Sequence, residues 1–546
     1  MRLGQAISSL LTQYGVEHVF GIPGVHTLEL FRDIDASGLS VTIPRHEQGA
    51  GFMADAYTRV SGKPGVCYLI TGPGVLNAVT PIAQAWHDSI PMLIIGSTVT
   101  VPELGTHRGT LHDTPDLAEV LRPFTLFSET VTTAERVPEL IEEAFTRWQH
   151  ERPRPVYIGV PRDLLELEVG EFTRPTPAAT PVGLTVSADR LTEAIDVVVA
   201  AQRPVLMIGG GARHDGPAIA ELAERLAAPV VLTGNAKGLV PEEHPLNAGI
   251  SLPFPRTQEL VEDADLVLAL GTELSDFDVL FTGSDEPKLA DIVRVDIDPT
   301  VTHPDQRRET LQLRVADFAA AALEVLPAPT AAASAAGVAR AAAARAGLAE
   351  ARTADPHTPW IDAISRALPA DAILTADSAQ VAYQAHHYLP LNTPGRWIAP
   401  YGYGTLGPAL PMAVGAAVAA PHQPIVALAG DGSSLFTLPE LATARDLGAQ
   451  TGANITYVIW DNGGYREIEV SFDRTDIKPA GVRTTAHDLG MIAKGFGARV
   501  TRPSSPDELE AALRIEAGLP GLSVIVVQAP PEHRVEADTL NPGEPA

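Results

Sequence analysis

A chain of 546 residues is too long for one hydrophobic core and predicts two to four domains. Hydrophobic residues at 45% and charged residues at 19% are globular values, no apolar run reaches the length of a membrane span, and a net charge of −28 argues against a nucleic-acid surface. A single cysteine, Cys67, excludes an internal disulfide framework, and no Cys/His spacing suited to a chelated metal occurs.

Met1-Arg2-Leu3-Gly4 runs directly into a helical pattern without a signal-peptide or lipidation pattern, so the cytoplasm is the expected compartment. Short β-branched runs then alternate with longer helical patterns: His18-Val19-Phe20, Val66 to Ile70, Met92 to Ile95, Val156 to Ile158, Val205 to Ile208, Val230 to Leu232, Leu266 to Leu270 and Val293 to Val295. Alternation of this kind reads as βαβ units with mainly parallel sheets, an α/β fold. Within the first region, expected at 1–172, the turns Phe20-Gly21-Ile22-Pro23-Gly24 and Ile70-Thr71-Gly72-Pro73-Gly74 each follow a strand, where the backbone can approach a flat ligand closely. Between them, Arg45-His46-Glu47-Gln48-Gly49-Ala50 places Glu47 at a strand-to-helix junction. Two readings of Glu47 stand at this point: a first-turn charge complementing the helix dipole, or a group working on a ligand. Cys67 lies inside a strand-like run and reads as core.

A Pro-rich stretch from Arg174 to Pro181 is the first expected linker, followed by a central domain at 183–326. Its Gly209-Gly210-Gly211 triplet after a strand is weak evidence for FAD, which is not expected. An Ala-rich linker at 327–356, helical in part, leads to a third domain at 357–534 and a frayed tail at 535–546. In the third domain, Pro424 to Ala429 reads as a strand, Gly430-Asp431-Gly432-Ser433 as the turn after it, and Leu438 to Leu447 as a helix. Asn454 to Trp460 is the next strand, and Asp461-Asn462-Gly463-Gly464-Tyr465 leaves its carboxyl end beside that turn. Mg²⁺ takes oxygen ligands from one or two carboxylate or carbonyl groups plus substrate phosphates, which Asp431, Asn462 and the Gly464 carbonyl can supply. A diphosphate would then sit at a helix N-terminus, at the carboxyl end of a strand. Alone, each motif also reads as an ordinary Gly-rich turn.

Together these motifs resemble the thiamine diphosphate enzymes of the acetolactate synthase and 2-oxo acid decarboxylase group, across nearly the whole chain and in the expected domain order. The resemblance implies a pyrimidine-binding domain, a Rossmann-like central domain and a diphosphate-binding domain, with thiamine diphosphate and Mg²⁺ as cofactors. It implies that Glu47 hydrogen-bonds the aminopyrimidine ring and activates the cofactor, and that Pro23, Gly24, Gly72 and Asn77 line the pyrimidine side. Within Gly402-Tyr403-Gly404-Thr405-Leu406-Gly407, it assigns the Gly404 carbonyl to the amino group and Leu406 to holding the cofactor bent. Asp377-Ser378-Ala379-Gln380 matches a turn that helps hold the diphosphate, giving Ser378 and Gln380 beside Gly430, Gly432 and Ser433. The family places the glutamate and the diphosphate turn on different subunits, so a homodimer is the expected minimum and a homotetramer common.

For the reaction, Gly109-Thr110-Leu111-His112-Asp113 departs from the synthase pattern, and His112 is the expected proton donor, with a surface-loop histidine as the alternative. In Tyr465-Arg466-Glu467-Ile468-Glu469 the resemblance places a carboxylate over the thiazolium ring: Glu467, or Glu469 if the register shifts. The chain is similar to 5-guanidino-2-oxopentanoate decarboxylases, which implies release of CO₂ from that small 2-oxo acid to give 4-guanidinobutanal. A guanidinium asks for a carboxylate fork, and Asp113, Glu467 or Glu469 are candidates, with Tyr465 alongside. The rival readings are an acetolactate synthase joining two 2-oxo acids and a non-catalytic binder of the cofactor. Neither a nucleic acid nor a membrane is expected as a partner.

Overall fold

Strands buried on both faces need near-continuous apolar sequence, and the runs above supply it: Met92–Thr98 and Leu266–Leu270 are buried at every position. The computed structural model describes residues 1–174, 186–279, 291–298, 300, 310–475 and 477–534. Residues 175–181 of the predicted first linker and the predicted tail lie outside them.

Among the described residues these strands form three six-stranded parallel sheets. The first holds β1 (His18–Gly21), β2 (Ser40–Thr42), β3 (Gly65–Leu69), β4 (Met92–Thr98), β5 (Phe127–Thr130) and β6 (Val156–Pro161), in the order β2-β1-β3-β4-β6-β5. The second holds β7 (Pro204–Ile208), β8 (Val230–Leu232), β9 (Asn247–Gly249), β10 (Leu266–Leu270), β11 (Ile292–Asp296) and β12 (Thr310–Gln312), in the order β12-β11-β10-β7-β8-β9. The third holds β13 (Ile373–Ala376), β14 (Trp397–Ile398), β15 (Ile425–Gly430), β16 (Asn454–Asp461), β17 (Arg499–Thr501) and β18 (Gly521–Gln528), in the order β14-β13-β15-β16-β18-β17. The chain is thus α/β, and its first and third sheets follow the same path.

In open parallel sheets, ligands bind beyond the carboxyl ends of strands where the winding reverses. That point lies between β1 and β3 in the first sheet, between β7 and β10 in the second, and between β13 and β15 in the third. The turns singled out in the sequence leave those very strands: 21–24 and 70–74, 209–211, and 377–380 with 430–433.

The Ala-rich segment is one helix, Ala331–Ala354, as expected of the best helix former, with Thr330 Oγ1 accepting from Ala333 N–H at its start. It packs on the second domain: a Cβ at Gly337 would lie 2.0 Å from the Ala227 carbonyl oxygen. The first and third domains meet where helix Glu47–Ser61 crosses helix Ala409–Ala419; there Gly415 leaves no room for a side chain beside the Met53 carbonyl. Cys67 is buried, its thiol pushed up to about 12 by burial, which makes it inert. Among the described residues, no helix is long and apolar enough to cross a membrane.

Candidate active site

At the carboxyl end of β15, Asp431 opens a short helical turn, Asp431–Ser434, and is buried there. Its Oδ1 accepts the Asn462 backbone N–H at 3.3 Å. The Asn462 side-chain amide lies 3.0 Å from Asp431 Oδ1 and 2.9 Å from the Gly464 carbonyl oxygen, and with its nitrogen on that side it donates to both. Its oxygen, turned to the same side, would join them in a set spaced like adjacent ligands of an octahedral Mg²⁺, which lie about 3.0 Å apart when each is about 2.1 Å from the metal. Burial, reinforced by the charge of Asp461, pushes the Asp431 carboxyl up to about 7, which a bound divalent cation would reverse. The donor set therefore fits Mg²⁺.

The neighbouring backbone is shaped to close tolerances. A Cβ on Gly432 would meet the Tyr465 ring at 2.8 Å, so Tyr465 lies directly against the turn. Gly464, at φ +150, presses on the Val482 carbonyl, where a Cβ would sit 2.2 Å away. Asp377, after β13, accepts N–H groups from Ser378 and Gly407 at 2.9 and 3.0 Å; burial still pushes its carboxyl up to about 7. Ser378 donates to the Thr405 carbonyl, and Gln380 Nε2 donates to Glu467 at 3.2 Å, bringing Glu467 to the turn after β13. Glu469 is buried and ion-paired with Arg466 on its own helix. Its charge is already partnered, which leaves Glu467 as the more available carboxylate. Gly404 takes φ +60, and a Cβ there would meet nothing within 4 Å; Leu406 is half-buried beside it.

The first domain gathers the second group of residues. Glu47 starts its helix, accepts a hydrogen bond from Asn77 Nδ2 at 3.0 Å, and lies 3.4 Å from where a Cβ on Gly74 would stand. Gly24 packs on Ile70, and Pro23 is exposed next to it. Gly72, at φ +68, lies under the His112 backbone, whose carbonyl oxygen a Cβ would approach to 2.6 Å. Only glycine satisfies both conditions. His112 itself is left-handed at φ +63 and sets its ring edge-on to buried His26, with centroids 5.5 Å apart; Asp113 follows, half-buried.

Within one chain the two groups stay apart: no hydrogen bond among the described residues joins Glu47 to Asp431, Asn462 or Glu467. A different acid bridges the domains. Glu440, buried in the third domain, accepts the Arg45 and His46 backbone N–H groups at 2.9 and 3.1 Å and so caps the Glu47 helix. Nothing in the sequence marks Glu440, because its partners lie almost four hundred residues away.

Known proteins match the chain in three regions. Residues 1–120 match the N-terminal TPP binding domain of thiamine pyrophosphate enzymes, 191–326 their central domain and 377–527 their C-terminal TPP binding domain. The chain belongs to the thiamine pyrophosphate enzyme family. It is 42% identical over 531 residues, 96% of this chain and 93% of the relative, to a probable 2-ketoarginine decarboxylase, AruI, of Pseudomonas aeruginosa. It is 30% identical over 538 residues, 97% and 94% of the two chains, to the acetolactate synthase isozyme 1 large subunit of Escherichia coli. An acetolactate synthase of Arthrospira platensis is 31% identical over 84% of this chain and 81% of its own.

The central domain of this thiamine pyrophosphate enzyme also borders a cavity of about 350 Å³, lined by Gly209–Gly211 and by residues from all three domains. The triplet has a packing explanation: a Cβ on Gly209 or Gly211 would lie 2.3 or 2.8 Å from Gly271. The two turns at this switch point need small residues to pass each other, whether or not a dinucleotide is bound.

Proposed function

We propose that the enzyme catalyses Mg²⁺- and thiamine diphosphate-dependent decarboxylation of a 2-oxo acid, 5-guanidino-2-oxopentanoate, to 4-guanidinobutanal and CO₂. The observation that carries this reading is the 42% identity, along almost the full length of both chains, to the probable 2-ketoarginine decarboxylase. When bound, thiamine diphosphate supplies the electron sink that a 2-oxo acid lacks. Asp431, Asn462 and Gly464 would hold the metal, and the turns at 378–380 and 430–433 the diphosphate. Glu47, with Asn77 fixing its carboxylate, holds the proton that activates the cofactor ring. His112 delivers a proton to the carbon that loses CO₂, and Glu467 faces the same cleft. Asp113 and Glu467 are the carboxylates placed to meet a guanidinium, since Glu469 already pairs with Arg466.

We assign the complete site to a homodimer, the minimum unit of a tetramer, in the cytoplasm: Glu47 of one copy meets Asp431 of another. Apolar side chains beside the two half-sites support it, with Val25, Leu111 and Ile468 73%, 67% and 53% exposed in the single chain. The acetolactate synthase relatives favour a second reading, transfer to another oxo acid. One assay decides: CO₂ and aldehyde release from 5-guanidino-2-oxopentanoate, pyruvate, benzoylformate and branched 2-oxo acids, with pyruvate mixtures checked for acetolactate. The guanidino acid is expected to turn over best. Dominant acetolactate refutes the decarboxylase, and indifference to the guanidinium refutes the substrate. His112→Asn should slow aldehyde release by about 10²-fold, the usual contribution of a positioned proton donor.

A further inference from the structure

The segment from Pro400 to Ala409 carries Gly404 and Leu406, and it is anchored at both ends by different domains. Its far end is held within the third domain, where Asp377 accepts the Gly407 N–H at 3.0 Å and the Ala409 N–H at 3.5 Å. Its near end is held by the first domain: Gly402 N–H donates to Asp88 Oδ1 at 3.0 Å and Tyr403 N–H to Gln84 Oε1 at 3.1 Å. The His87 ring stacks on Tyr403, with centroids 5.1 Å apart and planes 23° from parallel. Gly402 has no space for a side chain there, because a Cβ would stand 2.5 Å from His87 Cβ.

Asp88 is itself clamped. Arg59 reaches Asp88 at 2.7 Å and Asp55 at 2.6 Å, with the three side chains 9%, 3% and 0% exposed. Gln84 Nε2 donates to Asp88 as well, and Asn235 of the central domain joins through Asp88 Oδ1 at 3.3 Å and Arg59 Nη1 at 3.1 Å. Buried charges persist only when their oxygens and protons are satisfied, so this node has little freedom to rearrange. Asp55 and Arg59 lie one turn apart on the helix that starts at Glu47. One rigid element thus carries the acid that meets one cofactor and the clamp behind the segment that faces another.

We propose that Asp88 and Gln84 are positioning residues for the cofactor: they fix the path of Gly402 to Leu406 and so preorganise the Gly404 carbonyl and the Leu406 side chain. The proposal rests on the thiamine diphosphate reading of that segment. With the Asp377 anchor alone, the near half of the segment would have to be ordered at the expense of cofactor affinity. The test uses Gln84→Leu and Asp88→Asn in the full-length protein, with Ile361→Val in the third-domain core as a control for simple loss of stability. Thiamine diphosphate dissociation constants at saturating Mg²⁺ are read from intrinsic tryptophan fluorescence, and melting temperatures are taken without cofactor. Each positioning variant should raise the dissociation constant about tenfold, the scale of one lost hydrogen bond, with turnover at saturating cofactor nearly retained. The control should leave the constant unchanged. Equal affinities in wild type and Gln84→Leu, or an equal loss in the control, overturn the proposal. Gln84→Leu leaves the Arg59 ion pairs intact, so it decides the matter even if Asp88→Asn does not fold. A wild-type protein that fails to bind thiamine diphosphate overturns the cofactor reading and this proposal with it.

Discussion

The first and third sheets share one strand order, and the same two loops at each switch point are used for opposite electrostatic purposes. After β3 the chain reads Ile70-Thr71-Gly72-Pro73-Gly74, uncharged and pressed under the His112 backbone; after β15 it reads Gly430-Asp431-Gly432-Ser433, with a buried acid. β4 ends in Ser97-Thr98, whereas β16 runs out into Asp461-Asn462. In the reading proposed above, one copy of the scaffold makes an uncharged slot beside Glu47 and the other a set of oxygens suited to a cation. Where charge is placed, rather than the path of the chain, separates their roles.

Exchanging charge for shape should therefore break the two halves in different ways. Glu47→Gln keeps the side-chain outline and its Asn77 contact but removes the exchangeable carboxyl. Turnover should fall by on the order of 10²–10⁴, with Mg²⁺ and diphosphate binding largely kept. Normal turnover in that variant would sink the assigned role of Glu47. Asp431→Asn does the reverse. Metal affinity should drop more than about 100-fold, beyond the usual effect of disturbing a ligand's supporting partners, and activity should recover only at high Mg²⁺.

Asp431 also gives the third domain a pH signature that the neutral slot lacks. Its folded pKa, about 7, is raised above the usual carboxylate value, so between about 4 and 7 the folded state holds a proton that the unfolded chain has lost. Stability of the metal-free protein therefore falls as pH rises through that window, and Mg²⁺ should offset the loss above it. Melting temperatures in chelator at pH 5.5 and 8 should differ less for Asp431→Asn than for wild type. An unchanged difference would remove Asp431 as its source.

The sequence made β1, β3 and β15 at the two switch points legible because they are largely buried and read as apolar runs, whereas β13, only four residues at Ile373–Ala376, was not read from it. It did not reveal β14, only Trp397–Ile398, or β12, Thr310–Gln312, since edge strands that short carry no period. Asp431 and Glu47 were legible because a glycine turn or a strand-to-helix junction frames each in contiguous sequence. The Arg466 pairing of Glu469 was not, because three-residue spacing on a helix only permits an ion pair. Nor was Glu440, whose role exists only once two domains have docked.

Glu440 supplies the smallest and sharpest test of how far the two halves depend on each other within one chain. Burial raises its carboxyl above the usual range, and the hydrogen bonds from Thr443, Arg45 and His46 only partly offset that, so its charge is costly to folding while its acceptor geometry is useful. Glu440→Gln retains an acceptor for the Arg45 and His46 N–H groups and removes the charge; its stability should stay within about 1 kcal/mol of wild type. Glu440→Ala removes two part-buried hydrogen bonds and should cost about 1–3 kcal/mol in denaturant unfolding. It should also lower turnover severalfold, because the helix entrance that sets the direction of Glu47 loses its cap. If Ala and Gln behave alike in both measurements, the third domain does not orient Glu47 of its own chain.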